Sequence, residues 1–197
     1  MKIEFIYSPV YDNLLTDMSK KQFSIDQMKE MEFYKAELEA SWEKEGNKIS
    51  KEIEKVSKLK FKGNKTCFVV NTMKYAAISR PLTIKKEAHL ERAKTILIHE
   101  LIHTLLEDNR EKIAKLIEKT YPAESLDFRI HIPILLITKK VVENLYGDTL
   151  FQEILSDEMK RDVLNSAWPE ANRLYPKFKD NIINFLKNEK LRWKIQT

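Results

Sequence analysis

The chain has 197 residues, 43% of them hydrophobic and 33% charged, a balance that builds a core and excludes collagen-like and disordered compositions. Three glycines and six prolines are too few for a turn-rich β architecture, so the sequence predicts a mostly helical protein. The formal charge of +5 is what remains of 35 basic and 30 acidic residues. It lacks the dense basic stripe that a nucleic-acid partner would require.

Lys2 to Tyr7 alternates polar and apolar residues and stops at Ser8-Pro9, which predicts a short strand. Ile25 to about Val56 reads as one or two charged amphipathic helices, interrupted near Gly46-Asn47, with Met28, Met31, Leu38 and Trp42 at helical spacing. The lysines between Lys48 and Lys65 alternate with Glu52 and Glu54. That stretch reads as a solvated helix face followed by a loop, not as an RNA-binding patch. Gly63-Asn64 signals a turn before a strand from Thr66 to Val70. Cys67, the lone cysteine, sits in that apolar run; it excludes a Cys-rich zinc site and reads as a buried, inert thiol.

Tyr75 to Ile84 contains Pro81, which cannot donate to a sheet ladder, so the segment reads as an edge strand or extended loop. A long helix is predicted from Glu87 to about Asn109, and a second from Arg110 to Lys119. Tyr121-Pro122 breaks the pattern, and three further helices follow, over Ala123 to Leu145, Leu150 to Asn165 and Tyr175 to Trp193. The first residues, Met1-Lys2-Ile3-Glu4-Phe5, lack the apolar run of a signal peptide, and no apolar stretch is long enough to span a bilayer. A cytoplasmic protein with no membrane partner is expected.

The chemistry concentrates in His99-Glu100-Leu101-Ile102-His103. Residues four apart on a helix share one face about a turn apart, so both imidazoles can reach one metal ion. Glu100 follows the first histidine and can stand beside the metal, where it can take a proton from a water acidified to a pKa of about 7. Apart from Glu100, no charged residue lies between Thr95 and Leu106. Such a helix is buried, and burying two histidines and a glutamate without partners costs several kcal/mol each. A shared Zn2+ removes that cost. The rival reading is a non-catalytic helical binding or regulatory protein, whose histidines pack against the core or hold a closed structural zinc.

The segment Ile98 to Leu105 resembles the active-site helix of zincin metallopeptidases, including the uncharged residues that flank the motif. The resemblance implies zinc-dependent hydrolysis of a peptide or protein substrate. It assigns His99 and His103 as metal ligands and Glu100 as the catalytic base. It also implies that an edge strand ahead of the helix aligns the substrate, and Tyr75 to Ile84 looks like that strand. The expected fold is α+β and mostly α-helical. A small N-terminal sheet over residues 1–84 would precede a helical part over residues 85–197, in a single domain.

A catalytic zinc takes three protein ligands and keeps one position for water. The metzincin extension fails here, because Leu106 and Asn109 occupy its glycine and histidine positions. His131 is the preferred third metal ligand, with Asp127 one turn earlier able to orient it. Glu124 lies near the separation at which thermolysin-like gluzincins place a ligand glutamate, and Glu153 to Asp157 resembles a second gluzincin element; both remain alternatives. His89 is too far along the helix to share the ion and suits a helix start. Tyr121, Tyr146 and Tyr175 are candidate donors to an oxyanion, by analogy with other zincins.

Overall fold

A computed structural model describes residues 1–15, 24–147, 162–179 and 181–182. Among them the chain is mostly helical, with one small mixed sheet. In chain order the elements are β1 (Ile3–Tyr7), α1 (Pro9–Leu15), α2 (Ile25–Ser57), β2 (Lys65–Val70), β3 (Ala77–Ser79), β4 (Leu82–Lys85), α3 (Leu90–Asp108), α4 (Arg110–Lys119), α5 (Leu126–Tyr146) and α6 (Asp162–Phe178). Contacts group them into two compact units that interleave along the sequence: Met1–Ser50 with Lys62–Thr104, and Lys51–Phe61 with Leu105–Thr197. Two of the three boundaries fall inside α2 and α3, and the third in the loop between α2 and β2. No helix of the described residues is long and apolar enough to cross a membrane.

The first unit carries the sheet, in the order β1-β2-β4-β3. β1, β2 and β4 run parallel, with Phe5 opposite Cys67 and Phe68 opposite Thr83. β3 turns back antiparallel on β4, pairing Ala77 with Ile84 and Ser79 with Leu82, and so forms one edge. The expected single extended segment is thus a tight hairpin, with a cis peptide at Arg80-Pro81. Thr83 stiffens it: its hydroxyl donates to the Pro81 carbonyl at 2.8 Å and accepts from Tyr11 at 3.0 Å. Ile3, Phe5 and Tyr7 alternate inward along β1, where Phe5 meets the edge of Trp42.

Two elements depart from the sequence reading. Ser8-Pro9 starts α1 instead of merely ending β1. The Ser8 hydroxyl accepts from the Tyr11 amide and Pro9 takes the first helical position, where a missing N–H costs nothing. Asp12 on α1 is fully buried and accepts from the Asn71 and Thr72 amides at 2.9 and 3.3 Å, holding the exit of β2. The second departure is α2, which runs unbroken through Gly46. A Cβ there would lie 2.3 Å from the Trp42 Nε1. Gly46 therefore leaves space for an indole lying over the helix backbone; it does not end the helix.

In the second unit α5 packs on α4 and α6. Lys139 lies 4.5 Å from the Tyr175 ring centroid and donates to Asn172 at 3.0 Å, while the Tyr175 hydroxyl donates to Glu143. The predicted break between residues 165 and 175 is absent, because α6 continues through Pro169. Ala167, Trp168, Ala171, Leu174, Tyr175 and Phe178 recur with helical spacing and are all buried, which offsets the one hydrogen bond an internal proline removes.

Candidate metal centre

Helix α3 presents the motif. Its flanking residues Leu97, Ile98, Leu101, Ile102 and Leu105 are fully buried, as the uncharged sequence requires. At its entry, the Tyr34 hydroxyl accepts from the Glu87 amide at 3.1 Å and Arg92 pairs with Glu87 at 2.8 Å. His89 is exposed just ahead of the first turn, with its carbonyl accepting from Ala93, so it marks the helix start as expected.

His99 and His103 point their Nε2 atoms at each other, 3.3 Å apart, with ring planes inclined at 61°. Two nitrogens that each lie about 2.05 Å from one ion, at a tetrahedral angle, stand about 3.3 Å apart. The pair has a spacing that fits two ligands of one metal ion, and equally a hydrogen bond between the rings. Both rings are partly buried, whereas the intervening Glu100 is only 6% exposed. Its negative charge, second to burial, helps push the Cys67 thiol well above its usual range. Cys67 is a buried free thiol, so the sequence reading of an inert cysteine agrees with its setting.

His131 on α5 supplies a third ring. One donor atom each from His99, His103 and His131 lies within 4.8 Å of the others, close enough to bind one metal ion. The tautomer of His131 follows from its partner. Nδ1–H donates to the Asp127 carbonyl at 2.7 Å, which makes Nε2 the unprotonated nitrogen of the neutral ring. The expected orienting role of Asp127 is thus filled by its backbone oxygen. Ser125 sets the start of α5, accepting from the Phe128 amide at 3.1 Å, and so fixes the turn that carries this carbonyl.

The donor set fits a borderline-soft divalent ion such as zinc: three imidazoles and, among the described residues, no fourth protein donor in the group. Three neutral ligands leave the ion its full positive charge. Glu124, the first alternative ligand, is exposed and outside the group. Glu153 and Asp157 lie outside the described residues. The candidate oxyanion donors Tyr121 and Tyr175 have their hydroxyls on Glu170 and Glu143, respectively, and Tyr146 is partly exposed at the end of α5. The Tyr121–Glu170 contact gave no signal in the sequence, because it joins residues far apart in the chain. No protein-family model, curated protein or solved structure matches this chain.

Proposed function

We propose that the chain is a zincin-type zinc metallopeptidase that hydrolyses peptide bonds. The observation that carries this reading is the group of three imidazoles within reach of one ion, two of them 3.3 Å apart, with the buried Glu100 next to His99 in the chain. His99, His103 and His131 would hold the zinc. When bound, zinc supplies a positive charge that acidifies water to a pKa of about 7 and polarises a carbonyl.

The chain's own residues do the rest. Glu100, adjacent to His99 and shielded from bulk solvent, accepts the proton of the attacking water and returns it to the departing amine. The Asp127 carbonyl keeps the His131 ring in one tautomer, so that its Nε2 stays an acceptor. Edge strand β3, next to last before α3 and antiparallel to β4, offers an outer edge on which an extended substrate can add as a strand. A single buried free thiol fits a reducing compartment, and the cytoplasm is the location we propose.

The test is Glu100→Gln in the zinc-loaded full chain, assayed on a mixed peptide library read by mass spectrometry. The variant should retain zinc and fold but lose about 10²–10⁴-fold in cleavage rate, the contribution of a positioned general base. An equally active variant would refute the mechanism. A zinc-loaded parent that cleaves no peptide would refute the function.

A further inference from the structure

The second unit contains a cavity of about 450 Å³ lined by Tyr121, Glu124, Phe128, Ser166, Glu170 and Arg173. Phe128 and His131 are three residues apart on α5, hence neighbours on one helix face. The floor is aromatic: the Tyr121 and Phe128 rings meet edge to face at 5.5 Å. Tyr121 sits at φ 51°, a left-handed conformation that L residues seldom hold, and its hydroxyl is tied to Glu170. The backbone departs from its usual range to place this ring.

Charge selects the occupant. Arg173 grips Glu170 with two bonds of 2.6 Å, from Nε and Nη2. Its positive charge is thereby cancelled, so an anionic ligand gains little from it. Glu124 lines the cavity and is exposed, and its carboxylate makes no ion pair among the described residues. The cavity thus combines ring faces with one uncompensated negative charge. A long side chain with an apolar stem and a cationic head matches both, its stem on the rings and its head at Glu124.

We propose that this cavity binds a lysine or arginine side chain of a peptide. The subsite rests on the peptidase reading for what happens to that peptide, but binding can be measured without cleavage. The experiment is fluorescence anisotropy of labelled, end-blocked pentapeptides with arginine, norleucine or glutamate at the centre and alanine elsewhere. They are titrated with the full chain, with and without zinc. The arginine peptide should bind about tenfold tighter than the norleucine peptide, the combined effect of an ion pair and a ring-face contact. Glu124→Gln should cut that ratio to about threefold or less, and Glu124→Lys should favour the glutamate peptide. Because Glu124 is exposed, neither change threatens the fold. Equal binding of the arginine and norleucine peptides, absence of binding by all three, or a ratio unmoved by both variants would overturn the subsite. Selective binding without hydrolysis of any peptide would sink the peptidase reading and leave the subsite standing. Hydrolysis without a basic preference would do the reverse.

Discussion

Helices α3 and α5 solve one problem in two ways. Each is apolar on almost every side, and each carries partly buried imidazole where burial penalises polar groups. On α3 the solution is local, because two histidines one turn apart aim their Nε2 atoms at one point. On α5 there is one histidine, oriented by the carbonyl one turn before it. A metal ligand set can thus be half encoded by spacing within a helix and half by what a lone side chain does with its second nitrogen. The first kind is visible in a sequence, and the second is not.

The sharpest way to break this comparison is to remove ligands from each helix separately. His99→Ala should abolish stoichiometric zinc retention, because it destroys the pair. His131→Ala should weaken zinc by more than the 10–100-fold that loss of an outer-shell partner costs, yet leave the α3 pair able to hold some ion. Equilibrium dialysis against a zinc-buffered chelator would rank the two. Equal losses would show that the pair has no priority.

A smaller effect concerns the surroundings of α3. The Cys67 thiol is pushed up by burial first and by the Glu100 charge second. The folded state therefore holds this proton more tightly than the unfolded chain. Stability from this group is fully present below the ordinary value of 9.0 and declines as pH rises above it. The slope is up to about 1.4 kcal/mol per pH unit. Urea unfolding of the parent between pH 8 and 10.5 should show this decline, and Cys67→Ala should remove that part of it. A thiol reagent should label Cys67 only on unfolding.

The smallest effect lies at the start of α5. Ser125→Ala removes the hydroxyl that accepts from the Phe128 amide, and should lower unfolding stability by about 1 kcal/mol. If the capped turn holds the carbonyl on which His131 leans, zinc affinity should also fall in this variant. Unchanged affinity would mean that the His131 orientation is set elsewhere.

These contrasts also explain what could be read in advance. Strands β1 and β2 and helices α3 and α4 follow from alternation and helical spacing, and the motif pair from residues four apart. Pro81 suggested an edge strand, and β3 does form an edge, but Pro81 itself sits in the turn between β3 and β4, and β4 lies inside the sheet. Gly46 was misread as an interruption because its role depends on the Trp42 indole, which only a folded helix places against it. The continuity of α6 through Pro169 likewise depends on burial against α5. Helix α1 did leave a signal, a serine followed by proline, but the pair serves equally well as a strand stop. The buried Asp12 left none, since its partners Asn71 and Thr72 are remote in sequence. His131 could be nominated as a ligand, but only the fold brings its ring near the pair.

The central claim is that three imidazoles from two helices hold one ion and leave it a position for water. X-ray absorption at the zinc edge of the reconstituted full chain measures this directly. The account predicts one zinc per chain, with three imidazole nitrogens at about 2.0–2.1 Å and one further light ligand that is not from the protein. A chain that takes up no zinc, or one whose ion is enclosed by four protein ligands, would contradict it.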